Sequence, residues 1–130
     1  MKRFTILTLS SLLLFTAGCA QQTEQTTTLS SDNTNPLCNV NNGMAGGWVT
    51  SSVTPDVEVA LDHVLNMMNT SAKLSQILDV RSQVVNGINY AIDFELDDGQ
   101  VWNTQVFRSL KGQFKMTKPA QHGSFSQDCQ

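Results

Sequence analysis

Two histidines, three cysteines and a few acidic pairs are the residues of this chain whose types could do chemistry. His63 falls on the polar side of a helical repeat and His122 lies near the C-terminus. Neither has a second ligand at metal spacing, so no metal site is expected. Cys38 or Cys129 beside a histidine would supply a thiol nucleophile and its base, but no local motif of that kind surrounds either cysteine. Asp97-Asp98-Gly99 has the start of a calcium loop without the remaining ligands. Asp93 and Glu95 share a strand face, where paired carboxylates can do acid-base work; a solvated sheet surface is the expectation for both. No glycine-rich phosphate cradle is present, and the expectation is a chain with no catalytic centre and no cofactor. What remains is the chemistry of recognition. Three segments join glycine to apolar residues: Met44-Ala45-Gly46-Gly47-Trp48, Gln83-Val84-Val85-Asn86-Gly87 and Ser109-Leu110-Lys111-Gly112-Gln113. Turn tips are normally polar, so valines beside Asn-Gly ask for an explanation.

The elements that must position these segments are legible from periodicity. Thr54 can cap a helix, Pro55 suits its first position, and Asp56 and Glu58 add negative charge to its first turn. Val57, Ala60, Leu61, Val64, Leu65 and Met68 then make one apolar face on a helix of about sixteen residues. Asp62, His63, Asn66 and Asn69 fill the other side. Downstream the period becomes two. Leu78, Val80, Ser82 and Val84 form one strand face, and Asn86-Gly87 is expected to make a two-residue type I′ turn. Tyr90, Ile92, Phe94 and Leu96 alternate with Asn89, Ala91, Asp93 and Glu95. Asp98-Gly99 turns the chain into Val101 to Arg108, with Trp102, Thr104 and Val106 on one face. A last strand, Phe114 to Lys118, precedes Pro119 and a polar tail. One amphipathic helix and a meander of long strands predict an α+β domain, the helix packed across a curved antiparallel sheet of four to five strands. Alternate hairpins of a meander open at the same end, and the chain entering it can reach that end too. The three segments would then share one edge.

Lys2 and Arg3, the apolar run Phe4 to Phe15 and the small residues before Cys19 have the layout of a secretory signal. The run falls short of the roughly 18 to 20 residues of a membrane span. Thr16-Ala17-Gly18-Cys19 resembles the lipobox of bacterial lipoproteins, with Thr16 where leucine is usual. That resemblance implies a lipid on Cys19 and attachment to a bacterial membrane; Ala20 points to the outer membrane, facing the periplasm or the surface. The expected organisation is a signal at 1–18, a lipidated cysteine with a flexible Thr/Gln/Ser-rich tether at 19–43, and one domain at 44–130. The tether would span about 25 Å as a random coil. From residue 19 onward, six basic against eleven acidic side chains give a net charge of −5. No basic patch is present, so nucleic acid is not an expected partner. With Cys19 taken by lipid, Cys38 and Cys129 are the remaining pair in an oxidising compartment, where a disulfide is expected.

Gln83 to Gly87 is similar to the Gln-x-Val-x-Gly motif of the cystatins. Val106 to Gln113, "VFRSLKGQ", resembles the matching stretch of the stefins, the single-domain cystatins, and "MAGGW" resembles their N-terminal trunk. This resemblance covers roughly Met44 to Lys118, in order and in register around one helix. It implies reversible, tight inhibition of papain-like cysteine proteases by a trunk and two hairpin loops that enter the active-site cleft. On that reading Gly46 passes close to the cleft while Met44 and Ala45 reach non-primed subsites. Gln83, Val84, Val85, Asn86 and Gly87 form the first loop, and Leu110 with Lys111 the second. Lys111 stands where stefins place proline, which fixes φ and pre-organises a loop; its replacement predicts a looser second contact with the protease and a different target preference. Asn86 stands in place of alanine. Gly87→Glu is expected to abolish inhibition and leave folding largely intact where its charge can point to solvent, and Trp48 is expected to pack in the core or at an edge rather than contact the protease. The resemblance implies a monomer that can swap domains into a dimer. The alternative reading is a non-inhibitory binding or envelope-assembly lipoprotein on the same scaffold.

Overall fold

The computed structural model describes residues 35–40 and 44–129. The signal, Cys19 and most of the tether lie outside the described residues. Five antiparallel strands form one open sheet in sequence order: β1 (Trp48–Thr50), β2 (Leu74–Val85), β3 (Gly87–Leu96), β4 (Val101–Arg108) and β5 (Phe114–His122). The helix α1 (Pro55–Leu65) crosses β3, β4 and β5. Its start follows the local signals: Thr54 is extended, and its Oγ1 accepts from the Val57 N–H at 3.4 Å. Val57, Ala60, Leu61 and Val64 pack on Val80, Tyr90, Ile92, Phe94, Leu96 and Val106. Among the described residues no helix is long and apolar enough to cross a membrane.

The helix ends earlier than its apolar period implies. The Asn66 N–H donates to the Asp62 carbonyl at 3.0 Å, and the Met67 N–H donates to the Val64 carbonyl at 2.9 Å in a tighter turn. Asparagine competes for backbone hydrogen bonds and favours such an exit, while Met68 still packs on the core. In β2 a register shift between Ile77 and Asp79 breaks the alternation. Ile77 rather than Leu78 therefore joins the core side, and Leu78 is exposed; a bulge adds one residue and switches the face. β5 runs on through Pro119 to His122, past the expected stop at Lys118. An edge strand tolerates proline because its outward N–H has no ladder partner to lose, and the pairing is shifted there, between Asn103 and Gln105.

The opposite face of the sheet is not the solvated surface read from the alternation. The tail folds back over it, and Leu37, Trp48, Ala91 and Phe125 form a second buried cluster. Trp48 thus packs in a core, as expected. Cys38 and Cys129 are joined by a disulfide, as expected, across a sequence separation of 91 residues. Leu37 brings residues 35–40, read as tether, into the packing. Asp93, expected in solvent, is only 1 % exposed. Its Oδ1 accepts from the Phe125 N–H at 3.0 Å, and its Oδ2 accepts from the Ser124 hydroxyl and from the Ser126 N–H at 3.4 Å. Burial pushes the Asp93 carboxyl above its ordinary value, with these hydrogen bonds opposing the shift. Ser126 Oγ lies 2.9 Å from Asp79 Oδ2 and 3.2 Å from Asp93 Oδ2, so its single proton serves one carboxylate at a time. Arg81 pairs with Asp79 at 3.5 Å and sits over the Phe125 ring. Asp93 is therefore the anchor of the tail.

Candidate functional site

The β2–β3 hairpin and the β4–β5 loop open at the same end of the sheet. A cleft of about 330 Å³ between them is lined by Asn86, Phe107, Ser109, Leu110, Lys111 and Gln113. Because β1 runs antiparallel to β2, with Trp48 opposite Gln83, the residues before Trp48 extend toward the same end. A side-chain bridge then fixes them there. The Gln83 Nε2 donates to the Gly46 carbonyl at 2.8 Å, and the Asn89 Nδ2 donates to the Gln83 Oε1 at 2.8 Å. Gln83 spends its amide inside the protein, tying trunk to first loop. Asn89, which sequence reasoning passed over, completes the bridge; its outward place on a strand is shared by many polar residues, and no local signal sets it apart.

Each segment has its own turn. In the trunk the Gly47 N–H donates to the Met44 carbonyl at 3.0 Å, and Gly46 has φ +75°. A positive φ at the third residue of such a turn favours glycine. In the first loop, Val84 pairs with Ile88 and Val85 with Gly87, so Asn86 alone occupies the tip. The expected two-residue Asn-Gly turn is not formed. Gly87 is buried, has φ +127°, and a β-carbon on it would lie 2.5 Å from the Arg108 carbonyl oxygen and 2.6 Å from the Phe107 ring. The expectation that Gly87→Glu spares the fold is therefore corrected: there is no space for any side chain. In the second loop the Gly112 N–H donates to the Ser109 carbonyl at 2.9 Å, and the Ser109 N–H donates to the Gln113 carbonyl at 2.8 Å. Ser109 Oγ accepts from the Gln113 N–H at 3.1 Å, and Gly112 has φ +77°. A turn followed by a left-handed glycine is a common hairpin connection. Leu110 and Lys111 are its central residues, and proline is disfavoured at the second central position of the commonest such turn. With Lys111 in place of proline, the loop itself is closed by three hydrogen bonds.

The tips project apolar side chains into solvent: Met44 is 65 % exposed, Val84 65 %, Val85 47 % and Leu110 78 %. Ala45, Asn86 and Lys111 are exposed beside them. Beneath the edge, Arg108 pairs with Asp56 at 3.4 Å, linking the sheet to the first turn of α1. The Tyr90 hydroxyl is held above its ordinary pKa, first by burial and then by Asp56, with Arg108 opposing; it is neutral at physiological pH. Among the described residues no three His, Cys, Asp or Glu side chains gather as metal ligands would.

One helix across an open antiparallel sheet, with turns collected at one end, defines a cystatin-like α+β class. A family model, the Cystatin domain, matches residues 46–126, from the trunk glycine through both loops to the tail serine that contacts Asp93. The match spans more than half of the chain, and the chain belongs to the cystatin family. That family is one of inhibitors. Comparison with curated proteins finds no match, and comparison with solved structures finds none.

Proposed function

We propose that the chain is a reversible, tight-binding inhibitor of papain-like cysteine proteases, and that Met44 to Gly46, Gln83 to Gly87 and Leu110 with Lys111 form its protease-binding edge. The observation that carries this reading is the gathering of four exposed apolar side chains at one end of the sheet, on segments that the family model covers or adjoins. Isolated surface apolar residues need no explanation, whereas a grouped patch with a polar rim marks an interaction site. Entering an apolar cleft would remove these side chains from water at about 25 cal/mol per Å². Loops already closed by hydrogen bonds lose little entropy on docking. The protease cysteine would be covered rather than acylated, so inhibition needs no bond of the chain to be cleaved. The expected result is complete, reversible inhibition of papain by the purified chain at nanomolar concentration. Absence of inhibition at micromolar concentration by folded protein would sink the proposal and favour a non-inhibitory binding or assembly role.

The proposal includes a lipid on Cys19 that holds the chain at the bacterial outer membrane, with residues 20–34 as spacer and the domain acting as a monomer. Labelled palmitate should enter the chain in a bacterial host. Cys19→Ser should abolish labelling and release the protein to the soluble fraction; unchanged membrane recovery would refute the anchor.

A further inference from the structure

A second cavity opens at the end of the sheet opposite the proposed protease edge. It measures about 360 Å³ and is bounded by Met67 and Met68 after α1, Trp102 on β4, and Met116, Pro119 and Ala120 on β5. Trp102 stands six residues before Arg108 along β4, a distance of about 20 Å in an extended strand. Two departures from regular geometry make the space. α1 stops at Leu65, and the tighter turn after it carries Met67 and Met68 off the helical path. Across the cavity the pairing of β4 with β5 shifts between Asn103 and Gln105, so that Pro119 and Ala120 together face Thr104. A bulge of this kind re-aims side chains, and bulges are common at sheet edges and beside active sites.

The lining suits one kind of occupant. A volume in this range is that of a small-molecule site. None of the lining side chains carries a charge, and burying an ion without a partner is costly. Three methionine thioethers adapt to irregular contours. The Trp102 Nε1 is buried and has no hydrogen-bond partner among the described residues, although a buried indole N–H normally finds an acceptor. Its ring stacks with His122, the centroids 3.7 Å apart, a contact that leaves the N–H unsatisfied. We propose that this cavity binds a small, uncharged, apolar molecule with one carbonyl oxygen, which accepts from the Trp102 indole N–H while its hydrocarbon part lies against Met67, Met68 and Met116. The site shares no residue with the protease-binding edge and stands independently of the inhibitor reading.

The test adds methyl heptanoate to the purified, oxidised full chain carrying Cys19→Ser, so that neither lipid nor detergent competes for the cavity. The chain has two tryptophans, whose indole N–H groups are followed by nuclear magnetic resonance. Trp48, buried on the other face of the sheet, is the internal reference. The Trp102 indole signal should move saturably, with a dissociation constant below about 1 mM, together with the methyl signals of Met67, Met68 and Met116. The signals of Trp48 and of Met44, at the protease edge, should stay in place. Octanoate, of matching length but charged, should bind at least about tenfold more weakly. Trp102→Phe keeps the aromatic wall and removes the donor, so the methionine signals should report binding weakened about fivefold to tenfold, the worth of one hydrogen bond. Ala120→Leu fills the cavity and Met67→Glu places a charge at its exposed side. Both should abolish binding while an unmoved Trp48 signal confirms folding. The proposal is overturned by a Trp102 signal that does not move saturably, by movement of Met44 instead, or by equal binding of octanoate. Undiminished binding in Trp102→Phe, or in the obstructed variants, overturns it as well.

Discussion

Gly87 is the position where the fold and the proposed binding edge make the sharpest joint demand. An alanine there must adopt φ +127° and place its β-carbon 2.5 Å from the Arg108 carbonyl oxygen and 2.6 Å from the Phe107 ring. A backbone conformation that side chains rarely adopt costs about 1–3 kcal/mol, and forcing an extra methyl into packed space costs about 1–3 kcal/mol more. Gly112 separates the two effects. It has φ +77°, yet an added β-carbon would meet nothing within 4 Å, so Gly112→Ala carries the backbone cost alone, about 1–2 kcal/mol. The expected gap between the two variants is about 2 kcal/mol, or roughly 10 °C in Tm for a domain of this size. Urea and thermal denaturation followed by circular dichroism, with the disulfide oxidised in every sample, would measure it. Equal midpoints for Gly87→Ala and Gly112→Ala would refute the close approach of β3 to β4 at this tip. Loss of inhibition in a Gly87 variant then reports on folding as much as on contact, and exposed tips are better probes of binding.

Leu110→Asp and Val84→Asp are those probes. Each should shift stability by less than about 0.5 kcal/mol, as exposed substitutions do, while weakening papain inhibition by about 30-fold or more if the edge behaves as an interface hot spot; unchanged inhibition constants would refute the assigned edge. Replacing both Cys38 and Cys129 with serine should cost about 4–5 kcal/mol in the chain-entropy model for the 91-residue separation, read as a lower urea midpoint than that of the oxidised chain. Asp93 should give an unusual pH profile. Its carboxyl is raised above the ordinary value of 3.8 by burial, so the folded state holds its proton more readily than the unfolded state. Stability from this group is therefore greatest below the unfolded pKa and falls as pH rises through the interval up to the folded pKa. Asp93→Asn should remove that fall, and should lower overall stability by about 1–3 kcal/mol because an amide nitrogen would face donor groups. Thermal midpoints collected from pH 3 to 7 for both proteins would show it, and parallel profiles would refute the assignment.

Much of the frame was legible because the signals are local. Thr54, Pro55, Asp56 and Glu58 lie within one turn of each other, and the apolar spacing from Val57 to Val64 specifies which face of α1 is buried. Tyr90, Ile92, Phe94 and Leu96 read as one face of a strand because side chains alternate. Convergence of the two hairpins at one end follows from strand order alone in an antiparallel meander. Single-residue irregularities were not legible. The switch from Leu78 to Ile77 comes from a bulge in pairing with β3, and the turn at Asn86 is set by register with Ile88 and Gly87, a property of two strands rather than of either.

The sequence by itself determined the helix, the meander, the three segments at one end and the pair of cysteines left to combine. Only the tertiary structure decided that the sheet has two buried faces. Asp93 reads as a polar residue on an outward face until Phe125, 32 residues later, folds over it, and Leu37 reads as part of a polar tether until the disulfide brings it beside Phe125. Periodicity reports which residues share a side, but the cover on that side is a separate segment with no pattern in common with the strand it covers. For the same reason the trunk reads in sequence as an approach to the domain. The structure fixes where it begins, because Phe125 and Cys129, two residues far from it in sequence, hold Leu37 and Cys38 in place.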